Sequence, residues 1–123
     1  MFTITIENSF TAQHRLTLPD GTKEPLHEHD WQLKVTVSSD TLDQTGCVMD
    51  FHLLESIVNN KILPLKNTIL EDVGFFLSTS TNVSAENLAK YIYDSIAPEL
   101  PQNVTLDSVA IMEAPNCWAK YTK

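Results

Sequence analysis

Apolar and polar residues alternate from the first positions of the chain. Phe2, Ile4 and Ile6 are separated by Thr3 and Thr5, the period of a strand with one buried face. The same parity continues to Phe10, Ala12 and His14. A second alternating run sets Trp31, Leu33, Val35 and Val37 against Gln32, Lys34 and Thr36, and carried backwards it lands on His29 and His27. Unless a bulge intervenes, the two strands turn His14, His27 and His29 toward their apolar side. The stretch between them, TLPDGTKEP, holds Pro19, Asp20, Gly21 and Pro25 and predicts a loop long enough to drape over a site.

Beyond the turn region SSDTLDQTG the period changes. Asp50 offers an N-cap, and Phe51, Leu54, Val58 and Ile62 recur at helical spacing up to Pro64. NTILEDVGFFLSTSTN is weakly patterned. Ser84 can cap a second helix that carries Leu88, Ile92 and Ile96 and stops before Pro98. VTLDSVAIME and CWAKYT, separated by APN, predict a closing hairpin. The order strand, strand, helix, helix, strand, strand predicts an α+β domain, a four-stranded antiparallel sheet with two helices on one face. The other face is expected to be half apolar, and the two sheet edges point to oligomerisation through strands.

Composition narrows the function classes. The 123 residues match one domain spanning 1–123, and no apolar run approaches the roughly 18 residues that a membrane span requires. The N-terminus reads as a strand and not as a secretion signal, so a cytoplasmic location is expected. A formal net charge of −8, with Arg15 as the single arginine, disfavours polyanions and excludes nucleic acid as an expected partner. An anionic small substrate would depend on local cations, of which Arg15, Lys23 and Lys120 are the candidates. Cys47 and Cys117 form no CxxC pair and are expected to be reduced thiols with packing roles.

The histidines carry the chemistry. A His-x-His pair on a strand puts both rings on one side, about 7 Å apart along the backbone, and His14 at the end of the neighbouring strand supplies a third imidazole. Three histidines without a nearby thiolate suit Zn²⁺ with one position left open, the catalytic arrangement and not the structural one. His52, beside Asp50 and Phe51, is expected at the surface near the helix cap. A cupin-like barrel also carries His-x-His on a strand, but it needs many more short strands than this chain contains.

These residues resemble the 6-pyruvoyl-tetrahydropterin synthase and 6-carboxy-tetrahydropterin synthase family, of the tunnelling fold. FTAQHRL is similar to the family's first zinc-ligand segment and LHEHDWQLKVTV to its His-Gly-His strand, with glutamate in place of glycine. TGCVMDFHLLE is similar to the segment opening the first helix, NVSAENLAKYIYDSI to the start of the second, and VAIMEAPNCWAKY to the terminal hairpin with the pterin-anchoring glutamate. The resemblance implies a barrel assembled from trimers, two of which stack into a hexamer, with sites between subunits. It implies zinc on His14, His27 and His29, binding the side-chain hydroxyls of 7,8-dihydroneopterin triphosphate. It also implies Glu113 as the pterin anchor, with Ser84 and Lys23 among the substrate-binding residues and the triphosphate falling to Lys23.

The pattern breaks at the acid–base groups. Usual members carry a cysteine shortly before the His-x-His pair, where GTKEPLHEH has none, and an Asp-His pair after the first helix, where ILEDVGF supplies Glu71 and Asp72 and no histidine. A subgroup of the family uses a glutamate three residues before the first histidine of the pair and cleaves the substrate side chain to 6-hydroxymethyl-dihydropterin. Glu24 stands three residues before His27. The resemblance therefore implies a carbon–oxygen or carbon–carbon lyase with Glu24, Glu71 and Asp72 as candidate proton carriers. The competing expectation is a catalytically silent pterin- or purine-binding homo-oligomer that keeps zinc for structure.

Overall fold

The computed structural model describes residues 1–123. Strands β1 (Phe2–His14) and β2 (His27–Ser39) are followed by helices α1 (Phe51–Ile62), α2 (Gly74–Thr79) and α3 (Ala85–Ile96), then by strands β3 (Thr105–Ala114) and β4 (Cys117–Tyr121). The sheet is antiparallel throughout, in the order β1-β2-β3-β4. No helix is long and apolar enough to cross a membrane.

The β1–β2 ladder runs unbroken from Phe2 opposite Ser39 to His14 opposite His27. Because no bulge interrupts it, the alternation read from the sequence is kept: Ile6, Phe10, Ala12 and His14 share a buried face with Trp31, Leu33, Val35 and Val37. Val109 and Ile111 of β3 extend that face. It is covered by Leu54, Val58 and Ile62 of α1 and by Leu88, Ala89, Ile92, Tyr93 and Ile96 of α3. A bulge does occur further along, where β2 pairs with β3 between Thr36 and Val37, and there Ser38 and Ser39 are buried. Ser38 meets its polar requirement through Asp107 at 2.7 Å.

Both main helices start where their caps are. Asp50 accepts the His52 N–H and Ser84 accepts the Asn87 N–H, each satisfying a donor that the first helical turn leaves open. His52 itself is exposed. The six-residue α2 was not legible in the weakly patterned stretch, since under two turns show no periodicity. It is anchored by the buried Phe76, whose ring lies 5.0 Å from that of Tyr91.

Two expectations are corrected. The sheet face away from the helices is mostly polar and not half apolar: Thr5 bonds Thr36 at 2.8 Å, Thr11 bonds Asp30 at 2.6 Å, and Lys34 lies 4.6 Å above the Trp118 ring. Cys47 and Cys117 are free thiols but are exposed, Cys117 opening the short edge strand β4, so neither has a packing role.

The connection after α1 returns along the outer edge of β1. The Asn67 N–H donates to the Thr11 carbonyl at 2.7 Å and the Gln13 N–H to the Thr68 carbonyl at 2.8 Å. This brings Glu71 to the His14 end of the sheet and leaves the first half of β1 without a partner on its outer side.

Candidate functional site

His14 ends β1 directly opposite His27, the first residue of β2, and His29 lies opposite Ala12 two pairs further in. Residues at these positions project from one face, so the three rings converge. Ring centroids are 4.5 Å apart for His14 and His27, 4.8 Å for His27 and His29, and 5.0 Å for His14 and His29. One ligand nitrogen from each lies within 4.8 Å of the others, close enough to hold a single ion. Trp31, the next inward residue of β2, forms the floor, 4.9 Å from the His14 ring and 5.2 Å from that of His29. Its indole N–H donates to the Ala12 carbonyl at 3.2 Å, which fixes the ring under the site.

Backbone carbonyls set the tautomers. His14 Nδ1 lies 2.7 Å from the Val83 oxygen and His27 Nδ1 lies 2.8 Å from the Pro25 oxygen. A carbonyl only accepts, so both Nδ1 atoms carry hydrogen and the lone pair of each ring is left on Nε2. His14 is 1% exposed, and its Nε2 has no hydrogen-bond partner. The nearest ionic group is Glu113 Oε1 at 3.3 Å, in ion-pair range but not aligned as a hydrogen bond. Two lone-pair-bearing atoms facing each other at that distance repel unless a cation or proton stands between them. A buried unpartnered nitrogen is costly in a folded protein, and a metal at the triad would satisfy this one. Burial holds the His29 pKa below the ordinary histidine value; Glu113 acts the other way, and His14 and His27 reinforce the lowering. At neutral pH His29 is thereby kept in the unprotonated form that binds metal.

Glu113 is where its parity with Val109 and Ile111 predicts, turned to the core side at the end of β3 beside the triad. Its side chain is 36% exposed, so it is reachable by a ligand. Glu24 is half-buried and doubly tied to Leu16, its own N–H donating to the Leu16 carbonyl at 2.9 Å and its Oε1 accepting the Leu16 N–H at 2.9 Å. Leu16 follows His14 by two residues and Glu24 precedes His27 by three, so this carboxylate hangs between the chain neighbours of two triad members. The loop carrying it is a small hairpin, with Thr17 bridged to Lys23 across the turn at Gly21, whose φ of 89° is one that glycine adopts freely.

Glu71 and Asp72 lie in a short 3₁₀ turn, Leu70–Asp72. The ionic partners of Glu71 are cations and not histidines: Arg15 Nε lies 3.3 Å from Oε1 and Lys23 Nζ 3.6 Å from Oε2. These side chains line a cavity of about 280 Å³ together with Thr17, Asp72 and Asn82. Lys23 thus belongs to this cavity, whereas Ser84 caps α3 with its oxygen and keeps a hydroxyl proton to donate. The residues missed by sequence reasoning are Trp31, Pro25 and Val83. Trp31 could have been found from its parity with His27 and His29, whereas the other two act through carbonyls that no side-chain pattern reports.

A family model described as 6-pyruvoyl tetrahydropterin synthase matches residues 3–123. The chain belongs to that family. Among its relatives, the 6-carboxy-5,6,7,8-tetrahydropterin synthase of Haemophilus influenzae is 28% identical, over 98% of this chain and 99% of the relative. The dihydroneopterin monophosphate aldolase of Pyrococcus furiosus is 30% identical, over 85% of this chain and 83% of the relative. The structure of 6-pyruvoyl tetrahydropterin synthase from Caenorhabditis elegans superimposes with a TM-score of 0.86 at 24% identity, covering 99% of this chain and 95% of that one. The four-stranded sheet with its two main helices is therefore the fold of the 6-pyruvoyl tetrahydropterin synthase family, as its residues implied.

Proposed function

We propose that this protein is a zinc-dependent lyase acting on the side chain of 7,8-dihydroneopterin triphosphate or a close relative. The observation that carries the proposal is the buried, unpartnered His14 Nε2, converging with His27 and His29 and facing Glu113, in a chain of the 6-pyruvoyl tetrahydropterin synthase family. Three imidazoles without a thiolate suit zinc and leave a coordination position for substrate. When bound, zinc would supply charge withdrawal from substrate oxygens, making an adjacent proton more acidic. The name of one relative, a dihydroneopterin monophosphate aldolase, supports a dihydroneopterin phosphate as the substrate class, and that of another, a tetrahydropterin synthase, supports pterin chemistry.

The chain's own groups divide the remaining work. Glu113 would accept hydrogen bonds from a ring N–H and the amino group of the pterin, since a carboxylate matches two parallel donors. With the pterin held there, its side chain would extend over the histidines. Glu24 would take the proton: one carboxylate oxygen is held by Leu16 and the other is left to act as base. Lys23 would exchange its contact with Glu71 for a substrate phosphate, Ser84 would donate its hydroxyl proton to the ligand, and Glu71 with Asp72 would carry protons onward.

Product analysis with purified protein and dihydroneopterin triphosphate, with and without a chelator, tests this reading. Turnover that disappears with the metal is the expected result. Tight pterin binding with no turnover would replace the enzyme by a binding protein.

The Glu113→Gln protein should bind pterin more weakly by about 2 kcal/mol, because one acceptor becomes a donor facing donors, while retaining its metal. Unchanged pterin affinity in calorimetry would move Glu113 out of the site, and loss of metal would make it a ligand. We also propose a trimer or hexamer joined through strand edges. The unpartnered first half of β1 and the edge strand β4 support it. Sedimentation showing only a 13.8 kDa species at micromolar concentration would contradict it.

A further inference from the structure

We propose that Asn82 is a positioning residue for the metal centre, its side-chain amide clamping the chain just beyond β1 to the loop before α3 so that the Val83 carbonyl stays against His14. The inference rests on the reading of the triad as a metal site. Three observations carry it. First, the His14 ring is oriented by the Val83 carbonyl at 2.7 Å, and this bond decides which nitrogen keeps its lone pair. Second, Val83 lies between α2 and α3, outside any helix or strand, so no ladder holds its carbonyl in place. Third, Asn82 uses both ends of its amide on one residue of the loop that follows His14, three positions beyond it: Oδ1 accepts the Thr17 N–H at 2.9 Å and Nδ2 donates to the Thr17 carbonyl at 3.0 Å.

The contacts close a ring that runs from His14 along the chain to Thr17, across to Asn82, on to Val83 and back to the imidazole. Asn87 steadies the same segment from the far side, donating its side-chain amide to the Asn82 carbonyl at 2.9 Å and its backbone N–H to Ser84 Oγ at 3.1 Å. Asn82 is exposed and adds nothing to core packing; its pairing with Thr17 ties the segment that ends in Val83 to the chain leaving His14. Only asparagine fits this role. Aspartate offers the acceptor but opposes an oxygen to the Thr17 carbonyl, glutamine is one methylene too long, and alanine makes neither bond.

The test compares wild type, Asn82→Ala, Asn82→Asp and Asp50→Ala, the last removing the α1 cap, which lies outside the ring of contacts around His14. Zinc affinity is measured on metal-free protein by competition with a chromophoric chelator. Both Asn82 variants should bind zinc about 10- to 100-fold more weakly, the range for loss of an outer partner of a metal-ligating histidine, while Asp50→Ala binds as wild type. Nitrogen-detected resonance of metal-free protein should show His14 protonated at Nδ1 in wild type and as a tautomer mixture in both Asn82 variants. Should Asn82→Ala not fold, Asn82→Asp, which keeps the bond from Thr17, carries both measurements. Wild-type zinc affinity in the Asn82 variants, or an equal loss in Asp50→Ala, overturns the proposal. A wild type that binds no zinc overturns the metal-site reading instead, and the clamp is then judged by the tautomer alone: an unchanged His14 tautomer in the variants refutes it.

Discussion

Purified His14→Ala protein should carry no stoichiometric metal, against about one ion per chain in the wild type. His14 is the buried member of the triad, and its loss removes the nitrogen that lacks any other partner. It also leaves the Val83 carbonyl without its donor at a buried position, which costs about 1 to 3 kcal/mol and could lower the yield of folded protein. His29→Ala separates the two effects. His29 is half-buried, and its ring makes no hydrogen bond to the protein, so its removal takes away a ligand with little structural consequence. Both variants should lose the ion when metal is counted by elemental analysis. Metal content equal to wild type in either would remove that residue from the ligand set.

The second large effect concerns Glu24. Substitution by alanine should lower turnover by about two to four orders of magnitude, the range for a positioned general base, while sparing metal and pterin binding. Alanine also deprives the Leu16 N–H of its acceptor, so a fall in rate could reflect a displaced loop. Glu24→Gln resolves this, because its amide oxygen can still accept from Leu16 but the group cannot take a proton at neutral pH. A single-turnover rate near wild type in the glutamine variant would eliminate Glu24 as the base. Glu71→Ala is the informative partner. Glu71 is engaged with Arg15 and Lys23, so its loss should disturb handling of the substrate phosphate as well as onward proton transfer. A dead Glu71→Ala beside an active Glu24→Gln would transfer the base to Glu71.

Most of the fold was legible because each main element states its period plainly. The β1 and β2 alternations, the caps at Asp50 and Ser84, and Asn116 in its left-handed turn before β4 each use local chemistry that survives in the folded chain. The convergence of His14, His27 and His29 was legible for the same reason, since parity alone decides the face. The chain between Leu63 and Val83 was not. Its two 3₁₀ turns and the six-residue α2 follow β1 and the α3 surface, and tertiary contacts such as Gln13 to Thr68 fix a path that no repeat encodes. Glu71 shows the consequence: its proximity to Arg15 depends on that path. The polar second face of the sheet was readable from Thr3, Thr5, Ser9 and Gln32, whose parity sets them opposite the core.

The unbroken pairing of β1 with β2 also limits how this chain can change in length. Inserting or deleting one residue anywhere between Phe2 and His14 would rotate every position on the His14 side of the change to the opposite face. His14 would then leave the site even though its codon and its neighbours were untouched. Length variation is absorbed harmlessly only where the ladder does not transmit it, in the hairpin loop from Arg15 to Leu26 or beyond the ladder's end at Ser39. The loop is the less tolerant of the two, since it carries Glu24. Among natural or engineered variants of this chain, substitutions can therefore spread widely over β1, while insertions and deletions there are incompatible with an intact triad.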